Sequence, residues 1–416
     1  MKLPATLRAL QYRNFQLFFS GQLISLIGTW MQNVSQAWLV YRLTGSSVAL
    51  GAIGFAGQIP IFLFSPVGGI VADHYPRRLV VIATQTSAML LAFALAALTL
   101  TETVRIWHIF VLSAALGVVN AFDIPARQSF IVEMVGKPDL MNAIALNSSM
   151  FNASRVIGPA IAGLLVAAIG EGWCFFANGV SYIAVIAGLL LMHVARREKM
   201  SHTFSALANV AEGFRFVMQN PPVHTILALL GIVSMTGMPY VVLMPIFADR
   251  ILHGGAALLG WLMGCSGVGA LAGALLLASR TDLRGLGRWV AFSALGLGAA
   301  LAAFSFSRVF WLSAMTLVMV GFTMMIENGS TNTLIQSMVP DRLRGRVMAV
   351  YSMVFMGMAP FGSLLAGAAA AKVGAPWTLC AAGAVAMAAA GVFFVRLPRI
   401  RSHARRLISE QQIVID

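Results

Sequence analysis

From Phe15 to Arg396 the chain alternates apolar blocks of about 20 residues with short polar breaks. A helix of that length spans the ~30 Å hydrocarbon core of a bilayer. Backbone amides in hydrocarbon have to be satisfied within their own segment, so each block is predicted to be a helix. The alternating segments of about 10 residues that a membrane barrel uses do not occur. The pattern predicts helices over 15–41, 48–72, 79–101, 106–130, 140–169, 173–195, 222–250, 257–279, 288–305, 309–336, 343–371 and 376–396. Twelve spans place both ends of the chain on one side. The expected organisation is an N-terminal six-helix bundle over 1–195, a cytoplasmic linker over 196–221, a C-terminal six-helix bundle over 222–397 and a cytoplasmic tail over 398–416. The linker carries Arg196, Arg197, Glu198 and Lys199, reads as a solvated charge run, and ends at Pro221-Pro222, which stops one helix and starts the next.

Composition agrees. The 416 residues are 59% hydrophobic and only 10% charged, which excludes an ordinary soluble protein. The net charge of +14 raises the question of nucleic acid, and its placement answers it. With the N-terminus inside, Arg42, Arg105, Arg250, Arg308 and Lys372 face outward and Arg155 lies within the membrane. The other 22 of the 28 Lys and Arg face the cytoplasm, as the positive-inside rule requires. Cys174, Cys265 and Cys380 fit neither a disulfide framework nor a zinc site. The first block is too long for a signal-peptide core and no small-residue cleavage site follows it, so it is expected to remain as a helix.

The two halves echo each other. Asp73 and Asp282 close the second and eighth helices, Asp123 and Glu327 lie late in the fourth and tenth, and Pro138-Asp139 and Pro340-Asp341 open the fifth and eleventh. Paired halves around a midplane site describe many secondary transporters.

Polar residues inside the spans mark the expected pathway. Gln22, Ser25, Thr29, Gln32, Asn33 and Gln36 share one face of the first helix, which predicts cavity lining, with interhelical hydrogen bonding as the other reading. The second helix is rich in glycine, as close packing requires. Asn120 and Asp123 lie on the fourth helix, Asp123 ~25 Å from its outer end, and Arg127 one turn on offers a structural ion pair. The fifth helix carries Asn152 and Arg155, with Arg155 ~20 Å in; an arginine at that depth needs a cavity or a partner. Gly158, Pro159 and Gly163 follow and are expected to bend the helix. Pro239, Tyr240 and Pro245 mark a bend in the seventh helix. Thr316, Thr323, Glu327 and Thr331 share a face of the tenth, which is also rich in methionine. No phosphate-binding loop, metal motif or nucleophile–base spacing is present, so no enzyme and no cofactor are expected, and an ion gradient, most simply of protons, is the expected energy source.

Gly69, Asp73, Arg77 and Arg78 form a loop signature between the second and third helices. With twelve spans, it makes the whole chain resemble the major facilitator superfamily. Gly158-Pro159 with Gly163 is similar to the antiporter motif of its efflux branches. The stretches Asp123-Ile-Pro-Ala-Arg127, Asn142 to Asn147 and Arg155 to Pro159 resemble the branch of enterobactin exporters and the third group of drug–proton antiporters. His74, Pro76, Ser154 and Ala162 depart from these motifs. The fourth helix lacks the mid-membrane arginine of other efflux branches, so Arg155 is expected to take over that part.

The resemblance implies two pseudo-symmetric six-helix bundles. It implies an exporter in the bacterial inner membrane that moves a siderophore- or drug-like amphipathic molecule by alternating access and proton antiport. A proton-coupled importer of a nutrient or metabolite is the rival. It also implies that Asp73, Arg77 and Arg78 latch the inward side through helix ends near Arg342 to Arg346. Asp123 and Glu327 are the expected coupling carboxyls, because a carboxyl in a low-dielectric site resists ionisation. The expected partners are a small-molecule substrate and the lipid bilayer, with no nucleic acid, and the chain is expected to act as a monomer.

Overall fold

A computed structural model describes residues 5–193, 206–280 and 285–412. Ala5–Gln11 forms a 3-10 turn. It is followed by α1 (Arg13–Thr44), α2 (Ser47–His74), α3 (Arg77–Leu100), α4 (Ile106–Val135), α5 (Leu140–Ile169), α6 (Glu171–Leu191), α7 (Ala206–Gln219), α8 (Pro221–Gly237) and α9 (Tyr240–Ile246). A π turn over Phe247–Ile251 leads to α10 (Gly255–Ala278), α11 (Leu286–Phe306), α12 (Phe310–Met338), α13 (Asp341–Val373) and α14 (Ala375–Gln412). No strand occurs among the described residues. The charge run Arg196–Lys199 and Asp282 lie outside them.

Eleven helical segments among the described residues are long and apolar enough to cross a membrane. The first helix is not among them. Its 32 residues suffice in length, but its many polar residues, those between Gln22 and Gln36 among them, dilute its apolarity. Three further differences from the sequence pattern have local causes. The expected seventh span is interrupted at Met238-Pro239, where proline supplies no N–H, and it ends in a π turn. The linker contains a helix, α7, because its apolar residues recur at helical spacing. The last helix continues through Pro398 into the tail, past its expected end at 396.

Helix ends follow ordinary chemistry. Gly45 takes φ +58 and donates its N–H to the Tyr41 carbonyl, which closes α1. The Ser46 hydroxyl accepts from the Ala49 N–H at the start of α2.

By contact, the chain divides into two units. The first comprises Met1–His202 with Ala248–Gly264, the second Thr203–Phe247 with Cys265–Asp416. In the first, α2 packs on α4, α1 on α5 and α6, and α3 on α4 and α6. The closest approaches are backbone to backbone. A Cβ on Gly68 would land on the Ala121 carbonyl of α4, and one on Gly117 would meet the Gly57 carbonyl of α2 at 2.5 Å. Between α1 and α6, Gly21 faces the Ala184 carbonyl and Gly188 the Leu17 carbonyl, each at 2.9 Å. Small residues at such crossings let helices gain dispersion contacts where hydrocarbon offers no hydrophobic drive.

The N-terminal turn belongs to this unit. Ala9 is buried in a cluster with Phe15, Phe18, Phe130 and Leu189. The buried Asp139 carboxylate accepts from Tyr12 Oη (2.7 Å) and Gln11 Nε2 (3.2 Å) and pairs with Arg8 (3.4 Å). Asn142 Oδ1 accepts from the Ala9 N–H at 2.7 Å. In the second unit α11 packs on α12 and α14, and α8 on α13 and α14. There Gly383 faces the Gly298 carbonyl at 2.5 Å.

The two adjacent glycines Gly68 and Gly69 separate fold from function. Gly69 has nothing within 4 Å of an added Cβ. Gly68→Val is expected to cost roughly 1–3 kcal/mol by overpacking and to lower the thermal unfolding midpoint of the detergent-purified protein, whereas Gly69→Ala leaves that midpoint unchanged.

Candidate functional site

The loop signature sits where α2 ends and α3 begins, and its two arginines do different things. Arg77 is nearly buried. Its Nη1 donates to the Ser129 carbonyl (2.8 Å) and to Glu133 Oε1 (3.1 Å) on α4, and its Nε donates to the Ala72 carbonyl (3.2 Å). Arg78 donates to the Leu189 and Leu190 carbonyls at 2.7 and 2.9 Å. Those carbonyls end α6, where the Met192 N–H reaches Leu189 at 3.4 Å, and the guanidinium adds to this cap. Asp73 is left 72% exposed, 3.5 Å from Arg77. In the second unit Arg346 pairs with Glu212 of α7, and Arg344 with Asp341 at 2.5 Å. Glu133 and Glu212 were missed by sequence reasoning. They come from remote stretches with no motif around them.

The polar face of α1 divides between neighbours. Gln32 Oε1 accepts from Asn178 Nδ2 of α6 at 2.7 Å, and Gln36 Nε2 donates to Ser113 Oγ of α4 at 2.9 Å. Thr29 Oγ1 donates to the Ser25 carbonyl (2.9 Å) and lies 3.4 Å from Tyr182 Oη. Gln22 is buried, and among the described residues its Oε1 has no partner. Asn33 is exposed, and Asn120 is half-buried one turn before Asp123. The Asn152 side chain donates to the Ser148 carbonyl of its own helix at 2.9 Å.

The two expected coupling carboxyls sit in opposite surroundings. Asp123, 4% exposed, accepts through Oδ1 from Thr84 Oγ1 (2.8 Å) and Gln85 Nε2 (2.9 Å) of α3, and its Oδ2 lies 3.1 Å from Arg127 Nε. It is a satisfied joint between α3 and α4. Glu327 is 1% exposed on α12, and its one hydrogen bond is a long one from Thr331 Oγ1 at 3.3 Å. Among the described residues of its unit no cation pairs with it. The nearby Tyr351 hydroxyl donates instead to Asn328 Oδ1 at 2.9 Å, and among the described residues the buried Ser330 hydroxyl has no partner. Removing a carboxylate from water without a cation or several donors is expensive.

Arg155 on α5 lies over the Trp30 ring of α1, 5.8 Å from its centroid, and Phe151 meets the same ring edge-on at 5.7 Å. No described carboxylate of its unit pairs with it. Gly158 abuts α1, where its Cβ would meet the Ile27 carbonyl at 2.8 Å. Helix α5 continues through Pro159 without a break. A Cβ on Gly163 would meet the Ala257 carbonyl and the Gly260 Cα of α10, each at 2.9 Å. The glycines expected to bend the helix therefore serve as contact points on α1 and α10.

A polar clasp lies near the same segment. Tyr41 Oη donates to Asp249 at 2.7 Å. Arg250 donates to Tyr41 Oη and to the Gly45 carbonyl, both at 3.1 Å. His253, just after the π turn, holds a left-handed φ of +52. Tyr41 and Asp249 carry no sequence signal, because 208 residues separate them. Tyr240 is buried in the core of the second unit, its hydroxyl 2.5 Å from Ser266 Oγ.

The sequence profile of a family described as transmembrane secretion effectors matches residues 5–414. A staphyloferrin A transporter of Staphylococcus aureus is 26% identical, over 84% of this chain and 87% of its own length. The multidrug efflux pump Tap of Mycolicibacterium fortuitum is 28% identical, over 88% of this chain and 91% of its own. Among solved structures, that of the nucleoside transporter NupG superposes with a TM-score of 0.73 at 12% identity, over 95% of this chain and 99% of NupG. This last likeness is one of fold.

The contrast between the two acids is open to measurement. Asp123→Asn weakens hydrogen bonds to a charged group and is expected to cost about 1.5–3 kcal/mol, seen as a lower unfolding midpoint in detergent. Glu327→Gln, which has one long bond to lose, leaves the midpoint within error of the unmodified protein.

Proposed function

The chain belongs to the transmembrane secretion effector family of the major facilitator superfamily, and from that premise we propose that it exports an amphipathic small molecule in exchange for protons, by alternating access across the bacterial inner membrane. It is a multi-pass membrane transporter and not an enzyme. The proposed topology is twelve spans in two six-helix halves, with α1 as the twelfth span beside the eleven apolar ones. Both termini lie in the cytoplasm. The distribution of Lys and Arg supports this orientation. The exposed tryptophans Trp107, Trp173, Trp311 and Trp377, each at the second or third residue of α4, α6, α12 and α14, suit the ends of the proposed spans. Tryptophan gathers at membrane interfaces, and in this topology all four positions fall on the outer one.

The observation that carries the coupling is Glu327. A desolvated carboxyl without a counter-cation is the group best placed to hold a proton in one conformation and release it in another. Asp123 has three partners in its own unit, so it serves as structure and Glu327 alone carries the proton. Arg155, with Trp30 on one side and no carboxylate partner in its unit, is suited to an acidic group of the substrate. The substrate class follows the relatives, one named for staphyloferrin A and another for drug efflux. Asp73 supplies the exposed acid of the latch, while Arg77 and Arg78 hold the loop that presents it.

In proteoliposomes the Glu327→Gln variant is expected to lose accumulation driven by a pH gradient, falling to the level of protein-free vesicles, while substrate counterflow persists. Accumulation at the unmodified rate refutes the assignment. Asp73→Asn is expected to fold normally and to transport several-fold more slowly; an unchanged rate removes the latch.

A further inference from the structure

The amphipathic helix α7 has three sides rather than two. At about 100° per residue, Gly213, Phe216, Val217 and Asn220 fall on one side, Phe214 and Met218 with Ala211 on a second, and Arg215 and Gln219 with Glu212 on a third. The first side is engaged by protein. Val217 is buried, a Cβ on Gly213 would meet the Arg346 carbonyl of α13 at 2.5 Å, and Glu212 at the edge of that side pairs with Arg346. The third side is polar and exposed. The second is apolar and uncovered, with Phe214 and Met218 each 56% exposed.

Chain connectivity says what covers it. Asn220 Nδ2 donates to the Phe216 carbonyl at 2.7 Å, and α8 starts at the next residue, Pro221, as part of a segment apolar enough to cross a membrane. The end of α7 is therefore held at the bilayer boundary. A helix with an apolar side next to a polar one, fixed at that boundary, is suited to the headgroup layer, where the apolar side reaches the acyl chains. We propose that α7 is an interfacial helix of the inner leaflet, with Phe214 and Met218 inserted among the acyl chains and Arg215 at the lipid phosphates. Through Gly213 and the Glu212–Arg346 pair, it holds the second turn of α13 at a set depth against the lipid surface.

The test uses the full chain with Cys174, Cys265 and Cys380 replaced by alanine. Single nitroxide labels are placed by Phe214→Cys, Arg215→Cys, Met218→Cys and Gln219→Cys, in vesicles of phosphatidylethanolamine and phosphatidylglycerol. Labels at 214 and 218 are expected to relax several-fold more with oxygen than with a water-soluble nickel chelate, and those at 215 and 219 the reverse. Nickel access at all four positions overturns the proposal. Labels at 214 and 218 shielded from both reagents overturn it too, because a protein surface then covers that side. If the cysteine-free chain does not fold, a photo-crosslinking residue at 214 or 218 of the otherwise unmodified chain makes the same distinction, expected to capture lipid and overturning the proposal if it captures protein or nothing.

Discussion

A polar group carried into hydrocarbon has to find its partner inside the protein, and the first unit is organised by that requirement. Asp123 draws Thr84 and Gln85 from α3 and Arg127 from its own helix. Gln32 and Gln36 reach α6 and α4. Arg77 reaches the Ala72 carbonyl at the end of α2, and Arg78 the Leu189 and Leu190 carbonyls at the end of α6. Each such contact costs little once both groups are dehydrated together and a great deal if one is left alone. Helices here are aligned by their polar exceptions as much as by their apolar surfaces.

The two units differ at the places where this rule bites. Late in α4 an aspartate is fully satisfied, and at the corresponding position in α12 a glutamate is nearly bare. At the start of α5 Asp139 secures the N-terminal turn, whereas Asp341 at the start of α13 pairs with Arg344 one turn away. The loop after α2 is built around Arg77; after α10, Arg280 stacks on Trp289 at 4.2 Å instead.

The spans were legible because a run of about 20 apolar residues has few other uses. The pairing of Asp123 with Arg127 was legible because helical spacing fixes it. Partners drawn from other helices were not. Thr84, Gln85, Ser113 and Asn178 are ordinary polar residues, and nothing local tells which helix they will face. The stripe on α1 was read as one surface, but Gln32 and Gln36 turn to different neighbours while Asn33 is exposed. α7 escaped because the charge run at Arg196 to Lys199 suggested a solvated linker throughout, and the apolar residues of α7 are too few to register as a span.

Where Gly68 meets Ala121 and Gly298 meets Gly383, main chain touches main chain. No rotamer is available there to absorb a displacement, so those helix pairs behave as welded beams rather than as sliding surfaces. Heritable change in what the protein handles has to accumulate elsewhere, on faces clad in long, adaptable side chains. The weld thus divides the chain into residues on which selection for a new compound can act and residues at which any larger side chain costs stability.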